Sequence, residues 1–121
     1  MRARYWTAAL ALTVCSTALY AMDADTFYNK GLALQKRGMT AVFSSDLKVV
    51  MNEFQAASKA VKADNEVAKA AGRPIYCAPA KGQKMSSDQL LAEFGQIPAS
   101  RRKTQTVKAA WREILVRKYP C

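Results

Sequence analysis

Three cysteines, Cys15, Cys77 and Cys121, carry the most reactive side chains of this sequence, and no histidine accompanies them. That absence excludes imidazole triads and dyads and the HExxH zinc motif by residue type. Two cysteines without histidine do not complete a tetrahedral zinc site, so Cys77 and Cys121 are not read as metal ligands. The nine Asp and Glu are scattered singly, with no spacing suited to acid–base work. No glycine-rich phosphate loop follows a strand pattern. Ser–Lys or paired-carboxylate chemistry stays open by residue type, but no cluster favours it. The expectation is a non-enzyme with no metal and no cofactor. A thiol as the terminal residue, after V-R-K-Y-P, then needs another purpose, because a free thiol on a fraying end is exposed to oxidation.

The compartment supplies that purpose. Arg2 and Arg4 precede an uncharged apolar stretch from Thr7 to Ala18, and small residues follow at Ala18 and Ala21. This is the layout of a secretory signal peptide, expected over residues 1–21 with cleavage near Ala21. The apolar run is shorter than the ~20 residues a spanning helix needs. Lipid attachment at Cys15 is disfavoured by Val14, which is bulky where such signals want a small residue. Cleavage leaves a 22–121 domain with 17 Lys+Arg against 9 Asp+Glu, a formal charge of +8. About 100 residues suffice for one core with little margin. The pair that remains, Cys77 and Cys121, reads as one disulfide in an oxidising compartment. Closing so long a loop contributes roughly 4 kcal/mol in the chain-entropy picture.

The elements that must position this bond are helical. Asp25 is expected to cap a first helix, D-T-F-Y-N-K-G-L-A-L-Q-K-R, ended by Gly38. In the next segment Leu47, Val50, Met51, Phe54, Ala57 and Val61 form one apolar stripe, read as core rather than as a binding surface. The helical pattern continues through D-N-E-V-A-K-A-A to Gly72 and Pro74. A loop punctuated by Gly72, Pro74, Pro79 and Gly82 follows. Ser86 and Gln89 have capping-box spacing before a short helix that buries Leu90, Leu91 and Phe94 and ends at Pro98. A last helix starting at Ala99 or Ser100 would carry Val107, Ala110, Trp111, Ile114 and Leu115 on one side. The fold class is therefore all-α, a small bundle of four to five helices, with the disulfide joining the loop before the third helix to the C-terminus.

The basic balance raises nucleic acid or anionic membranes as partners. The densest cluster, Arg101-Arg102-Lys103, would fan around a helix instead of forming one face, and it is read as a solvated helix start. Its charge opposes the helix dipole at a cost of some tenths of a kcal/mol per residue. Neither nucleic acid nor membrane is expected as the partner.

The C-terminal half resembles the Rap/Tai family of small periplasmic immunity proteins directed against type VI secretion amidase effectors. The likeness rests on Cys77 with Pro79, Gln89 with Leu90, and the closing Tyr119-Pro120-Cys121. T-F-Y-N-K-G-L-A-L is also similar to that family's first helix. Two features depart from it: L-K-V-V-M-N-E-F-Q-A-A-S-K-A lacks both the further cysteines and the glycine-bearing motif often found there. The resemblance implies a non-catalytic protein that binds and inhibits a secreted peptidoglycan amidase, commonly as a homodimer.

Within that expectation the partner-binding residues are Pro79, Lys81, Gly82, Lys84, Ser86 and Asp88. The disulfide would preorganise the segment, and a cationic plug of Lys81 and Lys84 around Gly82 suits an acidic cleft. The plain alternative is that the loop is only a connector. Two other functions compete: a small disulfide-bonded helical chaperone or stress protein of the periplasm, and a peripheral protein of anionic membranes. A chaperone should protect many clients, an immunity protein should bind one partner tightly, and a membrane protein should lose lipid binding in salt.

Overall fold

The computed structural model describes residues 22–79 and 84–121, so the expected signal peptide lies outside the described residues. Five α-helices appear there: α1 Ala24–Arg37, α2 Ser45–Ala70, α3 Ser87–Gly95, α4 Ala99–Arg102 and α5 Val107–Lys118. A 3-10 segment, Gly38–Phe43, joins α1 to α2. The all-α expectation holds. The only extended pairing among the described residues is an isolated antiparallel bridge between Asp23 and Thr106.

Short-range capping chemistry sets most helix ends. Asp23, not Asp25, caps α1, accepting from the Thr26 amide at 2.7 Å and the Thr26 hydroxyl at 2.8 Å. These bonds, the backbone one first, hold the Asp23 carboxyl below its ordinary range. Asp25 instead lies in the first turn. Gly38 ends α1 with φ +58°, a left-handed value at which glycine has no steric penalty. Ser44 caps α2 through the Asp46 amide. The capping box of α3 is present in full: the Ser86 amide donates to Gln89 Oε1 at 3.0 Å, and the Gln89 amide donates to Ser86 Oγ at 3.2 Å.

The single final helix expected from residue 99 onward is two. α4 stops after one turn, and α5 restarts under its own cap, with Thr106 accepting from the Ala109 amide. The break has a tertiary cause. The Ala24 amide donates to the Gln105 carbonyl at 2.9 Å, and the Val107 amide donates to the Met22 carbonyl at 3.4 Å. The 104–107 backbone is thereby committed to the strand-like lead into α1 and cannot continue a helix.

Phe27, Val61, Phe94, Ile97, Val107 and Ile114 are fully buried. Burying each such side chain contributes about 1.5–3 kcal/mol before entropy is set against it. The Phe27 and Phe94 rings meet at 4.9 Å, and Phe54 meets Trp111 edge-on at 5.0 Å. α2 packs most extensively on α5. Gly31 on α1 faces Leu91 so closely that a β-carbon there would overlap the leucine side chain. Of the expected core, Leu91, Phe94, Trp111, Ile114 and Leu115 are buried, whereas Leu47, Val50, Phe54 and Leu90 are half-buried. Met51 is 50% exposed and does not belong to the core.

Candidate functional site

Two features converge near α3: a cross-linked loop and an open groove. The loop is tied down three times. Cys77 and Cys121 form the disulfide, with their Cα atoms 4.9 Å apart. The Cys77 amide donates to the Tyr119 carbonyl at 2.9 Å. Buried Asn65, on α2, accepts from the Ile75 amide at 2.8 Å and the Tyr76 amide at 3.2 Å, and donates to the Tyr76 carbonyl at 3.2 Å. Asn65 thus satisfies backbone groups that a loop against a helix would otherwise bury unpaired. An asparagine within an alanine-rich helical pattern was the available signal for it.

The residues expected to bind a partner separate on inspection. Pro79 is half-buried just beyond the disulfide. Lys81 and Gly82 lie outside the described residues. Lys84 is exposed and has no carboxylate within ion-pair distance among the described residues. The Ser86 hydroxyl is occupied as the cap of α3, which gives it a structural task. Asp88, in the first turn of α3, accepts from Gln35 Nε2 at 2.7 Å and lines the groove.

That groove, about 440 Å³, opens between α1, the 3-10 segment, α2 and α3. Phe27, Leu34 and Leu91 line it from α1 and α3, with Val42 from the 3-10 segment and Leu47 and Met51 from α2. Leu47 and Met51 therefore line an open surface, which corrects their reading as core, while Val50 and Phe54 line the groove and also pack against the core. Beside it the 3-10 segment leaves Met39 89%, Val42 69% and Phe43 92% exposed. Sequence reasoning missed these three. The apolar run after the helix-ending Gly38 was a signal, but nothing local shows that no helix covers it.

A shallower depression shares Val42, Leu47 and Met51 with the groove and continues it across the rim to Ser44, Lys48, Asn52 and Gln55. Arg37 donates to the Ser44 hydroxyl there at 3.2 Å. Among the described residues no carboxylate lines this depression. Asp46, in the first turn of α2, pairs with Lys30 at 3.3 Å.

The basic cluster is solvated at Arg101 and Lys103, as expected, but not at Arg102. Arg102 is buried, donates to Asp25 at 3.0 Å and to the Ile97 carbonyl, and lies over the Tyr28 ring at 4.2 Å. Arg101 pairs with Glu113. On the other side of the bundle Arg117 at 2.6 Å and Lys118 at 3.3 Å pair with Glu93. The Arg117 hydrogen bond is the main reason the Glu93 carboxyl titrates below its ordinary range.

No group of three or more His, Cys, Asp or Glu suited to holding a metal ion occurs among the described residues. No helix among them is long and apolar enough to cross a membrane. The arrangement offers apolar area, shape and fixed cations, which are the means of recognition. Comparison of the chain with protein-family models, curated proteins and solved structures finds no match.

Proposed function

We propose that this protein is a periplasmic binding protein that inhibits a peptidoglycan amidase effector of a type VI secretion system. The observation that carries the reading is the Cys77–Cys121 bond, because it joins Y-C-A-P to K-Y-P-C, two of the motifs in which the Rap/Tai resemblance resides. A disulfide is compatible with an oxidising compartment, and export would follow from the leader over residues 1–21. The segment from Cys77 to Asp88 is the proposed contact. Its base is fixed by the disulfide and by Asn65, so less order is lost when a partner binds. Homodimerisation belongs to the same proposal.

The test is co-expression of type VI amidase effectors in the periplasm with and without this protein, followed by direct titration. Rescue from lysis with a Kd well below micromolar is expected. Continued lysis, or no complex at micromolar concentrations, defeats the reading. Lys81→Glu with Lys84→Glu should slow association, most at low salt, because rim charges act chiefly on encounter rate. The exposed Met39 and Phe43 favour a second reading, a periplasmic chaperone. It predicts that unrelated unfolded clients are held soluble, which an inhibitor of one enzyme would not do.

A further inference from the structure

We infer that the groove between α1, α2 and α3 is a second binding site, adjoining the proposed Cys77–Asp88 contact at Ser87 and Asp88, for an amphipathic helical segment of a protein partner that sets a carboxylate beside its apolar anchors. Three observations select this occupant. The apolar surface does not stop at the rim: Val42 and Met51 line the groove yet are exposed, and Met39 and Phe43, on the same 3-10 segment as Val42, are exposed without lining it. A small apolar ligand would fill the floor and leave that patch wet. A helix laid in a groove covers both, with anchors spaced at i, i+3 or i+4, and i+7. Methionines at such a mouth adapt to the shape of the inserted side chain.

Charge selects the flank. Where the groove spills over Val42 and Met51, Lys48 and the Ser44-bonded Arg37 form a cationic shelf with no lining carboxylate. Asp88, on α3, is already held by Gln35. A carboxylate on the side of the incoming segment that faces α2 therefore meets Lys48 and Arg37, neither of which has a carboxylate within ion-pair distance among the described residues. A second copy of this chain fits poorly, because a two-fold axis through the patch would bring two Arg37–Lys48 pairs into one interface while adding no carboxylate from the depression to meet them. A bilayer fits poorly as well: it could cover the exposed Phe43 but would leave the concave floor at Leu34 and Leu91 unfilled. The site does not depend on which enzyme, if any, the protein inhibits.

The experiment is selection from a phage-displayed library of amphipathic helices of about four turns, with apolar anchors and randomised flanking positions, against the disulfide-bonded protein. Winners are expected to place Asp or Glu beside a Leu, Phe or Trp anchor and, as synthetic peptides, to bind with a Kd of about 10 µM. Met51→Glu should abolish binding. Lys48→Glu should weaken the acidic peptides about tenfold and strengthen their Lys-flanked twins. Both positions are exposed, so unchanged thermal melts will show that the fold survives. Methyl NMR shifts should concentrate on Leu34, Leu47 and Leu91. The inference is overturned by winners with neutral or basic flanks, by binding that Met51→Glu leaves intact, or by no enrichment. It is equally overturned if phosphatidylglycerol vesicles, or a dimer of the protein alone, cover the same methyls. Loss of amidase inhibition with groove binding intact would break the proposed function and leave this site standing.

Discussion

The two halves of α2 carry one apolar period and meet different surroundings. Beyond Phe54 the helix presents Ala57 and Val61 to α5, and Asn65 to the disulfide-bonded loop, and all three are buried. Before Phe54 it presents Leu47, Val50 and Met51 to the open groove. The reason is length. α2 has 26 residues and α5 has 12, so at 1.5 Å per residue they span about 39 and 18 Å. One helix cannot cover the other, and α1 with the nine-residue α3 closes the remainder only partly. Periodicity states which side of a helix is apolar; whether that side is covered depends on the lengths and placement of its neighbours.

The sharpest way to break the comparison is to delete one side chain from each surrounding. Phe94→Ala, on α3 in the core that buries Ala57 and Val61, should lower stability by roughly 3–5 kcal/mol, while Met51→Ala at the groove should change it by less than about 1 kcal/mol. Urea unfolding followed by circular dichroism reads both, and equal losses would erase the distinction. Next in size is the covalent tie of the closed half. Cys77→Ser with Cys121→Ser removes a cross-link spanning 44 residues and should cost up to roughly 4 kcal/mol. An unchanged melting temperature would show that the helix contacts hold the C-terminus alone.

The smallest effect is a pH dependence. Arg117 and Lys118 hold the Glu93 carboxyl below its ordinary value, so the folded chain binds this proton less readily than the unfolded chain does. The resulting stabilisation is present above the ordinary carboxylate range and is lost as pH falls through the lowered folded value. Glu93→Gln should therefore be less stable than the parent at neutral pH. The gap should close as pH falls from the ordinary carboxylate range through the lowered folded value, where the parent loses the ion pairs. A gap constant across that interval would sink the assignment.

Legibility followed sequence range. The α3 capping box was readable because Ser86 and Gln89 are three residues apart and satisfy each other. Arg102 was misread because its partner, Asp25, lies 77 residues away and Tyr28 nearly as far, and no local pattern announces either. The α4–α5 break left a faint trace in Thr104 and Thr106, both of which accept or donate locally, yet the apolar stripe ran past them. Of the expected partner-binding residues, Asp88 was found on the groove only because α1 brings Gln35 to it.

Residue type and spacing by themselves determined the helical class, the capping of α3 and the glycine stop of α1, since each depends on neighbours a few residues apart, whereas the Cys77–Cys121 pairing followed from sequence only with Cys15 assigned to the expected leader. Tertiary structure alone decided that Met22 and Ala24 bond to 105–107 and split the last helix, that Arg102 is buried on Asp25 and Tyr28, and that one end of the α2 stripe stays uncovered beside Met39, Val42 and Phe43. These outcomes depend on how far each helix reaches and which backbone groups remain to be satisfied when the helices meet, quantities that exist only once the chain is folded.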